Sequence, residues 1–525
     1  MPPFQQRRTR RARSLLRVKA LTIAAIGVAT LTCFVGPGPS AATAPSGRTV
    51  LTLPAVPETK SAFALTVVVP PPTGAAIKHG MYRVVVGITD NGTIFFLNDE
   101  TASRTPSLVK RLPSGEIVTV VAPGNPLPGG GTCLRIGSAT LGASGDLVLS
   151  LVVAGAPPGA KLPPLLPPAR DPLPLDTLTG APYREWLYFL PRDSPGKPST
   201  LASLVPITAP DEPAPGGGWF YTWKSSPQIA ADGTVLLAAI IHAPPARFDA
   251  YYVFRPAGKD CPAGALAGPI VSQGDKPLYE GTGTTGFFTL GAPALDEVGN
   301  LVFPAEPAAE VPTAAPEFAL YRLARSSWEP ILPSLSTIAA TNMPTFPLPA
   351  PIRLVGTREI DLLVHPFLQI EATDIGPSVD SSGNSVIVRT KIKSERSQRF
   401  HEVMLGPSGG APKVRLLAGG LAEGAAGGRW DYLESPIVRA PAGGLFFAGR
   451  TESEASNGTP VWNWRPGSGF SIVVRPSMLL GGERVDRIDF PQGRTVNRSG
   501  VLAFAYTTMS KTGAISYGIA TAAPL

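Results

Sequence analysis

A short sequence motif, which we call the phrase, recurs seven times along the chain and constrains the fold more than any other feature. It is an apolar residue, three mostly polar or small residues, a glycine, one free position and then two or three apolar residues. The clearest copy, N-R-S-G-V-L-A-F, runs from Asn497 to Phe504. The anchoring glycines, which stand 53 to 88 residues apart, are Gly92, Gly145, Gly233, Gly299, Gly383, Gly443 and Gly500. Self-similarity of this kind predicts a repeat architecture.

Each copy of the phrase predicts a tight β-hairpin. Asn91-Gly92, Asp232-Gly233 and Ser382-Gly383 are turn dipeptides, because glycine takes a positive φ without a Cβ clash. The apolar run that follows the glycine, as at 147–149, suits a strand that is buried on both faces.

A longer unit surrounds each phrase. A second strand follows that ends in a proline–glycine turn, then a third strand, and then a loop rich in proline and glycine. Two of these loops, residues 122–131 and 209–218, are identical at seven of ten positions. The unit therefore contains three to four short strands with Gly/Pro turns, which is typical of an all-β blade. Two long spacings require inserts, at 156–184 and 339–363.

The two ends of the repeat region complement each other. Residues 63–69 and the following P-P-P-T-G resemble a third strand with its loop, whereas the seventh copy stops at its second strand, 517–520. Ring closure would join them and remove exposed sheet edges. The sequence thus predicts one β-propeller of about seven blades over residues 63–525. Another tandem β-repeat or a β-solenoid is the alternative, because the mean spacing of 68 residues exceeds that of common blades.

The first 42 residues are typical of a secretory signal peptide. Basic residues occupy 7–19, an apolar run spans 20–36, and Ser40-Ala41-Ala42 is an A-x-A-like cleavage site. Residues 43–62 form a linker rich in proline, serine and threonine. The predicted location is secreted, periplasmic or at the cell surface, and an uncleaved N-terminal helix that anchors the protein is the alternative. No second apolar run is long enough to span a membrane.

The net charge limits the classes of partner that the sequence supports, and the cysteine content leaves two structural possibilities. The formal net charge is +8, but the leader carries seven of the 46 basic residues, so the remainder is close to neutral. This balance gives no argument for nucleic-acid binding. Beyond the leader stand Cys133 and Cys261, which form either one disulfide or two buried thiols. We expect a monomer.

Local motifs give no catalytic residue. Residues 406–410 fit G-x-S-x-G and residues 281–286 fit G-x-G-x-x-G, but both fall on turns of the repeat, and strand-like segments follow them instead of helices. The histidines, at 79, 242, 365 and 401, are isolated from one another in sequence. The sequence therefore assigns no catalytic residue, no cofactor and no metal.

The phrase at 497–504 resembles that of the bacterial tandem-repeat proteins defined by N-x-x-G-x-x-A-F, and the loop at 122–131 is similar to the Pro/Gly stretch that these repeats carry. Other copies depart from the motif, with Ala230, Asp296 or Asp380 in place of asparagine. The resemblance implies export and repeat architecture. That family has no established activity, so it supplies no catalytic residue.

Two functions fit these observations. The first is a non-enzymatic scaffold that binds an extracellular or envelope protein or glycan. The second is an extracellular polysaccharide hydrolase or lyase with a composite site at the propeller channel, where no local motif would reveal it. Trp186, Trp219, Trp430 and Trp464 are candidate sugar-stacking residues, with core packing as the alternative for each. The sequence favours the scaffold.

Overall fold

The structure is a computed structural model, and all the residues that it describes belong to the unit Thr59–Leu525. The described residues are 62–71, 82–99, 105–142, 144–155, 183–194, 199–243, 246–257, 264–274, 284–295, 300–309, 319–323, 325, 378–379, 385–393, 398–406, 413–417, 421–422, 428–439, 444–451, 458–465, 468–490, 494–509, 513 and 515–525. Within these ranges, no helix is long and apolar enough to cross a membrane. The predicted leader and both predicted inserts, apart from 183–184, lie outside them.

The described strands form seven antiparallel sheets that follow one another along the chain. The first strand, β1 (Phe63–Val69), belongs to the last sheet. Blade 1 contains β2 (Tyr82–Ile88), β3 (Ile94–Asp99), β4 (Ser107–Arg111) and β5 (Ile117–Val121). Blade 2 contains β6 (Thr132–Leu141), β7 (Leu147–Ala154), β8 (Tyr183–Leu190) and β9 (Val205–Thr208), with a short 3-10 turn at Leu201–Ser203. Blade 3 contains β10 (Trp219–Trp223), β11 (Gln228–Ile229), β12 (Val235–Ala243), β13 (Ala246–Arg255) and β14 (Ala265–Ser272).

The remaining blades repeat the arrangement. Blade 4 contains β15 (Thr284–Leu290), β16 (Ala294–Leu295), β17 (Leu301–Ala309) and β18 (Ala319–Leu323). Blade 5 contains β19 (Ser378–Val379), β20 (Ser385–Lys393), β21 (Gln398–Gly406) and β22 (Lys413–Leu417). Blade 6 contains β23 (Leu421–Ala422), β24 (Gly428–Arg439), β25 (Leu445–Thr451), β26 (Val461–Arg465) and β27 (Gly469–Val474). Blade 7 contains β28 (Leu479–Leu480), β29 (Glu483–Asp489), β30 (Leu502–Met509) and β31 (Ile515–Pro524), and β1 completes it.

The repeated phrase forms a hairpin that joins two neighbouring strands of each blade, such as β2 and β3 in blade 1 and β24 and β25 in blade 6. In every copy, the residue four before the glycine pairs with the residue two after it. These pairs are Ile88–Ile94, Leu141–Leu147, Ile229–Val235, Leu295–Leu301, Val379–Ser385, Arg439–Leu445 and Val496–Leu502. The sixth copy, in which the apolar residue Val438 is offset by one in sequence, therefore has the same register as the others. The conserved geometry is that of the backbone.

Where its side chains are described, the strand that follows the turn is largely buried on both faces. Every residue of β7 except the last is buried, and β25 and β30 show nearly continuous burial as well. Apolar residues occur without alternation in these strands because both faces lie against neighbouring sheets. The central position in the blade thus explains the apolar run after each glycine.

The seven sheets close into a ring. Inner strands of successive blades touch one another, since β2 contacts β6, β6 contacts β11, β11 contacts β16 and β16 contacts β19. Blade 5 contacts blade 6 through β21 and β24, and blade 7 contacts blade 1 through β30 and β2. This closed order is that of a seven-bladed β-propeller, as predicted, and the sheets have four or five strands each. A solenoid does not fit, because its first and last repeats would not meet.

Strand β1 joins the two ends of the ring. It pairs with β31 antiparallel, from Phe63 opposite Pro524 to Val69 opposite Ile519. The buried Phe63 ring lies edge-on to Phe446 of blade 6, with 5.7 Å between ring centroids. The N-terminal strand is therefore the outermost strand of blade 7, which confirms the predicted closure.

We expect Phe63→Ala to lower the free energy of unfolding by about 3–4 kcal/mol, because it leaves a cavity where β1 packs on blade 6. Urea denaturation would measure the change. The matched control is Ile117→Ala, since Ile117 lies on an outer strand and is 50% exposed, and it should cost under about 0.5 kcal/mol. Equal effects of the two substitutions would contradict a stabilising role for the closure.

Candidate functional site

The phrase turns share one hydrogen-bond pattern at the tip. In each of the four described copies, the glycine N–H donates to the carbonyl three residues earlier, at 3.0–3.1 Å. The residue at that earlier position donates its own N–H to the carbonyl just after the glycine, at 2.8–3.1 Å. This matches the three-residue hairpin loop in which a residue with positive φ follows a type I turn.

Four of the predicted turn glycines lie among the described residues. Their φ values are +86° at Gly92, +94° at Gly145, +87° at Gly233 and +76° at Gly500. This left-handed region is strained for any other residue, so glycine is required even at Gly92, where a Cβ would meet nothing within 4 Å. The other three, Gly299, Gly383 and Gly443, lie outside the described residues.

Polar side chains at the tips complete the turns. The Asn497 Oδ1 accepts hydrogen bonds from the N–H groups of Ser499 and Val501, at 3.1 and 3.0 Å. The Asn91 Oδ1 accepts from the N–H of Thr93 at 3.1 Å. Both asparagines stand in glycosylation-like patterns, and the structure uses each to hold its own turn.

The turn tips also bind one another across blades. The Asp90 carboxylate of blade 1 accepts hydrogen bonds at 2.9 Å from the Arg494 side chain and from the N–H of Arg498, both of blade 7. The Asn497 Nδ2 lies 3.4 Å from the Thr89 carbonyl. These contacts tie the last blade to the first at their turn tips, in addition to the closure by β1.

Blade 2 presents a loop after β8 at the same end of the ring. The N–H of Arg192 donates to Asp146 Oδ1 at 2.7 Å, and the Ser144 hydroxyl donates to the other oxygen of this carboxylate. A Cβ added at Gly145 would lie 3.4 Å from Thr89 and 3.5 Å from Arg192. Three segments therefore pack together: the loop after β8, the Gly145 turn of blade 2 and the Gly92 turn of blade 1.

A buried lysine joins blades 1 and 2 beside this loop. The Lys110 ammonium, on a side chain that is 1% exposed, donates to both oxygens of Asp193, at 2.6 and 2.8 Å, and to the Ser199 carbonyl at 3.2 Å. The N–H of Ser199 also donates to Asp193, at 2.6 Å. The Asp193 carboxylate is therefore committed to holding the lysine and its own loop.

These turns enclose a polar cleft of about 320 Å³, which we name the turn-tip cleft. The lining side chains include Asp90, Ser144, Arg192, Asp193, Ala231 and Arg498. Four blades contribute to it, because blade 7, blade 1, blade 2 and blade 3 each bring a turn to the same end of the ring. Since its walls come from both ends of the chain, the cleft exists only when the ring is closed.

The four candidate sugar-stacking tryptophans differ in burial. Trp186 and Trp430 are core residues, 6% and 1% exposed, whereas Trp219 and Trp464 are half-buried. The half-buried His242 lies edge-on to the Tyr221 ring, with 6.5 Å between centroids.

Both enzyme-like motifs lead into strands. G-x-S-x-G begins at the last residue of β21, and β22 follows it, while β15 begins inside G-x-G-x-x-G. Neither motif opens the helix that its chemistry requires. Among the described residues, no group of three His, Cys, Asp or Glu side chains is placed to hold a metal ion.

Cys133 is a buried free thiol on β6, and Cys261 lies outside the described residues. Burial raises the pKa of the Cys133 thiol to about 11. The thiol therefore stays protonated at neutral pH and behaves as a small core residue.

No family model and no curated protein matches the sequence. Among solved structures, the chain is similar to the polysaccharide lyase Uly1, with 11% identity, a TM-score of 0.41 and coverage of 86% of this chain and 90% of that one. It is also similar to the β-propeller domain of the Trilobed protease from Pyrococcus furiosus, with 8% identity, a TM-score of 0.30 and coverage of 73% and 92%. At these values, the similarities carry no argument about activity, which has to come from the residues themselves.

We expect Asp193→Ala to destabilise the protein more than Lys110→Met. Loss of the carboxylate leaves a buried ammonium without its counter-charge, which costs about 3–5 kcal/mol. Loss of the lysine instead leaves Asp193, whose side chain is 29% exposed and can be hydrated. Urea denaturation of both variants checks the order, and the reverse order would contradict the buried-charge argument.

The stability contributed by Asp232 should depend on pH. Burial alone would raise the pKa of this carboxyl, but hydrogen bonds from the N–H and hydroxyl of Thr234 and from Arg325 outweigh it and lower the pKa. The stabilisation is therefore complete above the unfolded-state pKa of about 3.9 and is lost as pH falls through the folded-state value. We expect Asp232→Asn to be less stable than wild type at pH 7, with a difference that shrinks in acid. Thermal unfolding at several pH values measures this, and Arg325→Gln should show the same trend.

Proposed function

We propose that the protein is an exported binding scaffold and that the turn-tip cleft is its binding site for a glycan. The observation that carries the proposal is the convergence of turns from four blades on one polar cleft. The variable positions of the repeat, such as Asp90, Ser144, Ala231 and Arg498, line this cleft, while the glycines and apolar positions build the scaffold. In such a repeat the constant positions maintain the structure, so a binding function is expected at the variable positions.

The cleft is held in place before any ligand arrives. The ion pairs of Asp90 with Arg494 and of Lys110 with Asp193 each join two blades at its walls. A site with fixed walls loses little conformational entropy on binding, so a modest number of polar contacts suffices for affinity. This favours a recognition role.

The chemistry of the lining favours a polyhydroxylated ligand. Hydroxyl, amide and charged groups dominate it, and Phe95, the aromatic ring among the lining residues, is 4% exposed. Protein interfaces instead depend on aromatic and apolar anchors at their centre. The predicted export would place such a site among envelope and extracellular glycans.

A glycan microarray with the purified full-length protein would test the proposal. We expect saturable binding that Ala231→Trp abolishes, because the indole fills the cleft at the tip of the blade 3 turn. The matched control is Ala246→Trp, an exposed position at the opposite end of the same blade, which should bind as wild type does. Binding that is unaffected by Ala231→Trp, or the absence of saturable binding, would contradict the proposal.

Incubation of the bound glycan with the protein separates the scaffold from the hydrolase or lyase. The scaffold leaves the polymer intact. Cleavage by either enzyme releases new reducing ends; elimination also leaves an unsaturated sugar at the other new end, whereas hydrolysis does not. Products that Ala231→Trp abolishes would replace the scaffold by an enzyme acting at the same cleft.

A further inference from the structure

We propose that the turn-tip cleft selects acidic polysaccharides and that Arg192 and Arg498 bind the sugar carboxylates. This inference rests on the proposed function and names the class of glycan.

The acidic side chains of the cleft are occupied. Asp193 accepts two hydrogen bonds from Lys110 and one from the N–H of Ser199. Asp90 has two arginine neighbours, since Arg494 donates to it at 2.9 Å and the Arg498 Nε lies 3.4 Å from its second oxygen. One carboxylate thus faces two guanidinium groups, and this corner of the cleft carries an excess positive charge.

Arg498 retains capacity for a second partner. Its side chain is 62% exposed, and the contact with Asp90 at 3.4 Å is longer than the 2.9 Å contact that Arg494 makes. A guanidinium carries five N–H donors, so one long contact leaves most of them available. Arg498 therefore presents donors to the cleft from the blade 7 turn.

Arg192 is the second available cation. Its side chain is exposed, and among the described residues its guanidinium has neither a hydrogen bond nor an ion pair. Its backbone, by contrast, is fixed, because its N–H donates to Asp146 at 2.7 Å. The backbone of Arg192 is therefore held at the cleft wall, while its guanidinium is available to bind a ligand.

Within a glycan, the anionic group that Arg192 and Arg498 are best suited to bind is a carboxylate. The planar guanidinium fork donates two parallel N–H bonds to a carboxylate, and charge-assisted hydrogen bonds are about twice as strong as neutral ones. Asn91, which also lines the cleft, uses its amide oxygen for the turn, so its NH₂ group remains to donate to a sugar hydroxyl. A uronate sugar combines the carboxylate and hydroxyl groups that these residues recognise.

The test compares polygalacturonate with its fully methyl-esterified form, because esterification removes the negative charge of each carboxyl group, at the cost of one added methyl, and leaves the sugar backbone unchanged. Binding of the full-length protein is measured by biolayer interferometry at low and at physiological salt. We expect the wild type to bind the acid form at least about tenfold more tightly and to weaken as salt rises. Alginate, a second uronate polymer, should behave like polygalacturonate.

Substitutions assign the preference to the two arginines. We expect Arg192→Gln and Arg498→Gln each to weaken binding of the acid form by about tenfold, with little effect on the ester. Arg484→Gln is the matched control. Arg484 is exposed near the start of β29, at the opposite end of that strand from the phrase turn, and its substitution should leave the affinity unchanged.

Several results would overturn the inference. Equal affinity for acid and ester, or no binding of either polymer by a protein that binds neutral glycans on the array, would sink it while leaving the proposed function intact. Tighter, Arg192-dependent binding of polyglutamate would indicate an acidic protein as the ligand. No saturable glycan binding of any kind would remove the inference together with the proposed function.

Discussion

The pairing of β1 with β31 is the contact on which the rest of the structure depends. It joins the two ends of the repeat region, from Phe63 opposite Pro524 to Val69 opposite Ile519, so that blade 7 gains its outermost strand. Closure brings blade 7 against blade 1, which lets Arg494 and Arg498 reach Asp90. Since blade 7 forms one wall of the turn-tip cleft, ring closure and the candidate site are physically coupled.

Within each blade, one hairpin geometry is repeated while its chemistry changes. The residue four before each glycine pairs with the residue two after it in all seven copies, even where that residue is Arg439 instead of an apolar one. Backbone hydrogen bonds and a glycine with positive φ set this register, so the other turn positions are free to vary. The fold thereby brings different side chains to one end of the ring at equivalent places.

Much of the fold was predictable from the sequence, and little of the site was. Turn glycines such as Gly233 and the buried run after each of them are local signals, and a local pattern that recurs is readable without coordinates. Lys110 and Asp193 gave no such signal, because they are 83 residues apart and a lysine on a strand normally indicates an exposed face. Arg498 lies within the repeated phrase, but no local sequence pattern indicates that Asp90 is its neighbour.

The sequence alone is enough to predict the all-β class, the hairpin at each phrase and the completion of the last blade by the N-terminal strand. These follow from backbone constraints and apolar burial, which act over a few residues at a time. Which charges meet depends instead on how the blades are arranged in space, because the cleft is built from turns that lie up to 408 residues apart in the chain. Ion pairs depend on distances of a few ångströms between blades, and only the closed ring sets those distances.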